Sequence, residues 1–352
     1  MRESRFGKAL TQLIAAAPVV PINNDDRIVI FSDLHLGNGG SRDDFLPNAA
    51  LFQTVLKNYY LKKHFKLVLN GDIEELQRFP FHQIMNRWQG VYRIFREFER
   101  AQAFYKIIGN HDWELARYHH PFLSSPVYPA LIFNRPEQQI IVFHGHQASL
   151  LMGKCHKLCK WILRYLANPI GIKNFAVSPE NKYLFKTEKK VYRFAKERKV
   201  VTLIGHTHRP FFESLGVTDR LNCRIDELCR AYSAAEPCQR KDLASHITAC
   251  SGQLRKLTNR KNYPFQNSLY NRETLIPCLF NSGSAIAKNG IFALEIAAGN
   301  ISLVYWSDPK KIPAATAGLG VQTLRLDEGE YMRRVIKADN LDYIFTRIKL
   351  LA

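Results

Sequence analysis

A chain of 352 residues with 46% hydrophobic and 23% charged residues is long enough to bury one large core or two modest ones, which excludes a disordered polymer. Its formal net charge of +19 and pI near 9.7 create a positive field that draws phosphates, nucleic acids or acidic membrane surfaces and disfavours cationic partners. Seven cysteines, an odd number scattered from Cys155 to Cys278, argue against a complete disulfide framework and for a reducing compartment.

The chain opens with MRESRFGK and then ALTQLIAAAPVV, a basic start before a short apolar run, the outline of a signal peptide. Thr11 and Gln12 dilute the run and Pro18 and Pro21 close it. Ala9, Leu10, Leu13 and Ile14 therefore read as the apolar face of a short helix in an N-terminal helical extension over 1–26. No stretch of eighteen apolar residues follows, so no segment is expected to span a membrane.

Short β-branched and aromatic runs recur at 27–31, 66–70, 104–108, 140–143, 200–204, 278–281, 291–296 and 301–306, and read as buried strands. Helical stretches at 48–63 and 83–102 alternate with the first of them, while the last strands follow closely, as in a meander. The expected fold class is α/β (α+β): two packed mixed β-sheets flanked by helices, in a single domain over 27–352. Two segments break the rhythm and read as insertions: 147–199, basic and helical, and 212–276, which is polar, contains cysteines and has helical periodicity at Leu221, Ile225, Leu228 and Tyr232. In the first, Leu158, Trp161, Ile162, Tyr165 and Leu166 recur at helical spacing opposite Lys154, Lys157, Lys160 and Arg164. Such a helix either rests on an anionic bilayer or packs on the core with a solvated charged face. In the second, the gaps of six, nine and twelve positions between Cys223, Cys229, Cys238 and Cys250 fit no paired zinc-binding arrangement.

Immediately after five of the expected strands stand Asp33-Leu34-His35, Gly71-Asp72, Gly109-Asn110-His111-Asp112, His144-Gly145-His146 and Gly205-His206-Thr207-His208. Loops beyond the carboxyl ends of neighbouring strands converge on one crevice, so residues far apart in sequence can share a site. A lone histidine at a strand end usually packs or hydrogen-bonds. Five such motifs in series, with six of the chain's twelve histidines and glycines that let backbone come close, argue for one shared centre. Carboxylates, imidazoles and an amide suit first-row transition cations, and the lack of thiolate leaves positions open for water and phosphate oxygens.

Taken in that order, the motifs resemble those of the calcineurin-like metallophosphoesterase superfamily, D-x-H, G-D, G-N-H-[DE], H and G-H-x-H, over roughly residues 27–209. The resemblance implies that family's four-layer sandwich and two divalent transition-metal ions, Mn2+ first, with Fe, Co or Zn as alternatives. It implies that Asp33, His35 and His208 hold one ion, that Asn110, His144 and His206 hold the other, and that Asp72 bridges them. His111 would be the family's catalytic histidine, with Glu75 a candidate for orienting it. His146 and Arg209 are candidates for a supporting role or a substrate contact.

Gly71-Asp72-Ile73-Glu74-Glu75-Leu76-Gln77 departs from the G-D-x-x-D-R-G of phosphoprotein phosphatases. Ser32-Asp33-Leu34-His35-Leu36, the His144-Gly145 turn before a helical lid, and Gly205-His206-Thr207-His208-Arg209-Pro210 resemble the UDP-2,3-diacylglucosamine pyrophosphohydrolases, implying a lipid-linked or nucleotide-sugar substrate. The chain departs from them at His111, where that group has arginine, at His146, where it has aspartate, and in 212–276, which it lacks. An active-site histidine is a feature of phosphomonoesterases and phosphodiesterases, so another small anionic phosphoester is the alternative. A nuclease is a further one, although no nucleic-acid-binding module is recognisable. The expected setting is cytoplasmic, with peripheral contact to the inner face of an anionic membrane as an open option, and no protein partner follows from the sequence.

Overall fold

The structure is a computed structural model that describes residues 5–116, 123–148, 182–212, 237–258, 276–311, 323–326 and 330–352, with Ile225, Leu228, Cys229 and Tyr232. The amphipathic segment 154–166 lies outside the described residues. The chain divides into two compact units, one of Met1–Phe212 with Pro277–Ala352, the other of Glu213–Ile276.

Each run read as a strand forms one in the larger unit: β2 (Ile28–Phe31), β3 (Lys66–Asn70), β4 (Phe104–Ile107), β7 (Gln138–Val142), β8 (Val201–Ile204), β9 (Leu279–Asn281), β10 (Gly290–Ala297) and β11 (Asn300–Ser307). Five strands were not anticipated: β1 (Val19–Pro21), β5 (Val127–Tyr128), β6 (Leu131–Arg135), β12 (Thr323–Leu326) and β13 (Tyr331–Asn340). They assemble into two mixed sheets, one of eight strands ordered β12-β13-β11-β10-β2-β3-β4-β5, the other of five ordered β1-β6-β7-β8-β9. Strands β2 to β5 run parallel, as do β7 to β9, while β10, β11, β13 and β12 form the antiparallel meander. The central parallel strands are apolar on both faces because both are covered, and β2 and β8 are buried along their whole length.

The sheets lie against one another. The Asn70 carboxamide donates to the Phe143 carbonyl at 3.2 Å, and the rings of Tyr105 and Phe133 meet edge-on at 6.2 Å. Helices close the outer faces. On the eight-stranded sheet, α2 (Ala49–Val55), running on into a wider π turn at Leu56–Leu61, and α4 (Gln89–Arg100), preceded by α3 (Phe81–Arg87), bury a large apolar core. In α4, Val91, Tyr92, Phe95 and Phe98 fall on one face and are buried, while Arg93, Arg96 and Arg100 are exposed. Phe31, Phe52 and Phe45 pack edge to face, a geometry worth about 0.5–1.5 kcal/mol per pair beyond area burial.

Against the five-stranded sheet lies α5 (Lys182–Arg198), which buries Thr187, Glu188, Val191, Phe194 and Ala195 and exposes Lys186, Lys189 and Arg193. The N-terminal α1 (Arg5–Ala15) buries Leu10, and at the other end α7 (Leu341–Leu351) is capped by Asn340, whose side chain accepts from the Asp342 and Tyr343 amides. In the smaller unit the described element is α6 (Pro237–Thr258). Among the described residues no helix is long and apolar enough to cross a membrane.

Candidate metal centre

The five motifs follow directly from β2, β3, β4, β7 and β8, whose carboxyl ends point to the same side of the sandwich. Beyond the strands their loops interlock. The amides of Asp33, His35 and Leu36 donate to the carbonyls of Gly71, Asp72 and Ile73 at 3.1, 3.0 and 2.8 Å, and the Gly205 amide donates to the His144 carbonyl at 3.0 Å. Asp33, His35, Asp72, His206 and His208 all have φ between 49° and 65°, half of the ten non-glycine residues in that region among those described. Such conformations cost of order 1–3 kcal/mol each and persist where tertiary contacts enforce them, so strain is concentrated at this centre. There is no spare volume either: a Cβ on Gly109 would stand 2.1 Å from Asp72 Oδ1, and one on Gly71 2.5 Å from His144 Nδ1.

Three groups of donors result among the described residues, Asp33 with His35 and His208, Asp72 with His144 and His206, and His35 with Glu75 and His111, the donor atoms of each lying within 4.8 Å of one another. The first two abut through Asp33 Oδ1, which is 3.1 Å from His208 Nε2 and 3.9 Å from both His35 Nε2 and His144 Nε2. Each aspartate divides its labour. Asp33 Oδ2 accepts the His206 amide at 3.0 Å and Asp72 Oδ1 accepts the His111 amide at 2.7 Å, so one oxygen fastens a neighbouring loop while the other faces the cluster. His144 Nδ1 lies 2.8 Å from the Asn70 carbonyl, a partner that only a protonated Nδ1 can satisfy, which turns Nε2 to the centre.

Glu75 stands behind both His35 and His111, its Oε2 at 2.8 Å from His35 Nδ1 and its Oε1 at 2.8 Å from His111 Nδ1. Asn110 is almost fully buried, and Gln77 Nε2 donates to its backbone carbonyl at 3.0 Å. The His146 ring lies 5.5 Å from that of His144 and 6.4 Å from that of His206, one layer out. Arg209 Nη1 lies 3.5 Å from Glu188 Oε2 on α5. The residues of the five motifs, with Glu75 and Arg209, thus lie in neighbouring loops, whereas Trp161, Tyr165 and the rest of 154–166 lie outside the described residues. Sequence reading missed Glu188 and Asn281, which tie the loop carrying His206 and His208. The signal available was the polar, glycine-containing Asn281-Ser282-Gly283-Ser284 where a strand ends.

The electrostatics call for positive charge. Burial works against ionising Asp33 and Asp72, but the surrounding imidazoles outweigh it, holding Asp33 below the ordinary range and Asp72 well below it. Burial likewise disfavours a charged His144, yet Asp72 and Asp33 push it up to about 9, while His206, buried beside His144, is driven down to about 3 and stays neutral. His111 is pushed up to about 10, the Glu75 and Asp72 carboxylates overcoming its burial. Positive charge here comes from imidazolium or from a cation. Three buried polar atoms argue for the cation: Asp33 Oδ1, Asn110 Oδ1 and His144 Nε2 make no hydrogen bond, although Asp33 Oδ1 lies 3.1 Å from His208 Nε2 and His144 Nε2 lies 3.1 Å from Asp72 Oδ2.

Two mixed sheets between helices, with carboxylates and imidazoles gathered at the strand ends, make a candidate metal centre. The chain belongs to the calcineurin-like phosphoesterase family, whose model matches residues 26–210, just over half of its length. No curated protein matches it. Among solved structures it is similar to a conserved uncharacterized protein, a predicted phosphoesterase, from Streptococcus pneumoniae TIGR4, with 12% identity over 80% of this chain and 89% of that one and a TM-score of 0.29. It is similar as well to a single mutant of Vps29 from Entamoeba histolytica, with 11% identity over 89% and 98% and a TM-score of 0.35. Vacuolar Protein Sorting 29 from Cryptosporidium parvum matches with 10% identity over 90% and 100% and the same TM-score of 0.35. Likenesses this distant do not bear on function.

Proposed function

We propose that the enzyme hydrolyses its phosphoester with two divalent ions, one held by Asp33, His35 and His208, the other by Asn110, His144 and His206, with Asp72 shared between them. The observation that carries this reading is the set of buried atoms without hydrogen bonds, Asp33 Oδ1, Asn110 Oδ1 and His144 Nε2. Left without a ligand, such groups cost about 1–3 kcal/mol each. Mixed oxygen and nitrogen donors suit Mn2+, with Fe, Co or Zn as alternatives. Bound there, the cations supply Lewis-acid polarisation of a phosphoryl oxygen and an acidified water as nucleophile.

The chain's own residues do the rest. Glu75 accepts from Nδ1 of His35 and His111 and so directs the Nε2 atoms of both rings away from itself. Held by two carboxylates, His111 keeps a proton above the ordinary imidazole range and delivers it from Nε2 to the departing oxygen. Proton delivery matters most when an alkoxide leaves and least when a phosphate leaves. The His111–Glu75 pair therefore favours an ester of an alcohol over the pyrophosphate of a UDP-2,3-diacylglucosamine-like substrate, to which the sequence likeness points. The net charge of +19 suits a small anionic ester, and equally an anionic membrane face in the cytoplasm or a nucleic-acid strand.

Metal analysis of the purified protein, with a panel of phosphomonoesters, phosphodiesters, UDP-sugars and single-stranded nucleic acid, tests this reading. We expect two ions per chain and faster turnover of alkyl mono- or diesters than of UDP-sugars. A metal-replete protein holding at most one ion while fully active would sink the two-ion assignment. Turnover of UDP-diacylglucosamine alone would sink the ester preference.

A further inference from the structure

His206 and His208 present their imidazoles to different donor clusters, yet are separated by one residue. Both have left-handed backbone, at φ 65° and 55°, so nothing intrinsic to the loop keeps them in place. The residue between them points the other way. Thr207 is fully buried, and its hydroxyl is held from two sides: Oγ1 donates to Glu188 Oε1 at 2.9 Å and accepts from Asn281 Nδ2 at 2.8 Å. Both halves of the grip are themselves fixed. Asn281, fully buried at the end of β9, also donates to the Gly205 carbonyl at 3.0 Å and accepts the Gly283 amide at 2.8 Å. Glu188 sits on α5, which is fastened nearby by Lys190 Nζ donating to the Ala148 carbonyl at 2.8 Å, just beyond the His144-Gly145-His146 turn.

We propose that Glu188 and Asn281 are positioning residues that clamp the Thr207 hydroxyl and thereby set His206 and His208 for metal binding. The proposal rests on the ligand assignment made above. A hydroxyl has one proton to give and lone pairs to accept, so a carboxylate on one side and an amide N–H on the other use it to the full. Arg209, one residue past His208, adds a weaker contact at 3.5 Å to the second Glu188 oxygen. Two loops that supply three proposed ligands, His144, His206 and His208, are therefore tied to the same helix.

The test is a titration of the metal-free full-length protein with Mn2+, read by calorimetry and by bound metal at graded free Mn2+, alongside the melting curve of the metal-free state. Thr207→Val keeps shape and removes the hydroxyl; Glu188→Ala removes the acceptor; Glu188→Gln keeps an acceptor and loses the charge. We expect Thr207→Val and Glu188→Ala to weaken Mn2+ binding roughly 10–100-fold, the usual effect of losing a partner that orients a metal ligand. Glu188→Gln should bind close to wild type, and the double variant Thr207→Val with Glu188→Ala should be no weaker than the worse single one, since both remove the same interaction. If Glu188→Ala folds poorly, Thr207→Val and Glu188→Gln decide. A Thr207→Val protein whose Mn2+ titration overlays wild type overturns the clamp alone. A wild-type protein that takes up no Mn2+ or other transition ion overturns the clamp together with the ligand assignment.

Discussion

His35 and His111 share a single carboxylate and stand edge to face, with ring centroids 4.7 Å apart at an interplanar angle of 86°. Because each Nδ1 is tied to a different oxygen of Glu75, neither ring can turn without disturbing the other. A proposed metal ligand and the proposed proton donor are in this way one mechanical unit.

That unit predicts a split between two substitutions. His111→Ala should lower kcat by about 10²–10⁴-fold, the usual range for a general acid, while both ions stay bound. Glu75→Gln should lower kcat less and also weaken metal binding, since His35 loses its carboxylate. Metal content measured beside kcat distinguishes them, and a His111→Ala protein that loses an ion would refute the assigned role.

The pH profile follows from the same carboxylates. With burial outweighed by Glu75 and Asp72, His111 stays protonated above its ordinary value of 6.5. Activity that requires the protonated ring is present at lower pH and lost as pH rises through the folded value, so the profile has an alkaline limb. Glu75→Gln removes one source of that shift and should move the limb to lower pH. A limb that stays put in kcat against pH would assign it to another group.

Asp72→Ala should be the most damaging single change, because it removes the proposed shared ligand and the acceptor of the His111 amide together. Turnover should fall to the level of chelated wild type, and added Mn2+ should restore the chelated wild type but not the variant. Comparing the two under metal-replete conditions checks this.

Gly109→Ala should abolish activity with no change in any ligand, since the added methyl would meet Asp72 Oδ1 at 2.1 Å and the Asp72 amide nitrogen at 2.3 Å. Bound metal should drop in parallel with kcat. Full metal occupancy in an inactive Gly109→Ala protein would show that the methyl is accommodated at the expense of His111 instead.

Beneath the centre, Lys106 and Glu74 form a fully buried ion pair at 2.5 and 2.7 Å, joined by the Tyr92 hydroxyl at 2.9 Å from Glu74 Oε1. Lys106→Met leaves the Glu74 charge uncompensated and should cost about 3–5 kcal/mol of folding stability. Lys106→Met with Glu74→Gln should cost clearly less than the sum of the single changes. Chemical denaturation of the three variants measures it.

Much of this was legible in the sequence because ligand-type residues stand directly after apolar β-branched runs, and parallel strands bring such positions together. β2, β3, β4, β7 and β8 could be read that way. β13 could not: YMRRVIKADN lies near the sheet edge with alternating partial exposure, so its polar residues mask the strand pattern. β1 is a three-residue strand that includes Pro21, and β5 is only two residues long. Glu75 could be guessed as a partner of His111 from its place near Asp72, but its second bond, to His35, depends on how two loops interlock. Glu188 is one charge among many on a basic stretch of sequence, and only the packing of α5 shows that it is buried.

Asp33, His35 and Asp72 leave strands of the eight-stranded sheet, whereas His144, His206 and His208 leave strands of the five-stranded one. An ion that takes donors from both layers binds the closed sandwich and not a parted one, so its affinity acts as a latch, worth about 2.7 kcal/mol at a hundredfold excess over Kd. On the proposed ligand assignment, stripping the metal should therefore leave the sandwich easier to part and to digest, as well as slowing its chemistry.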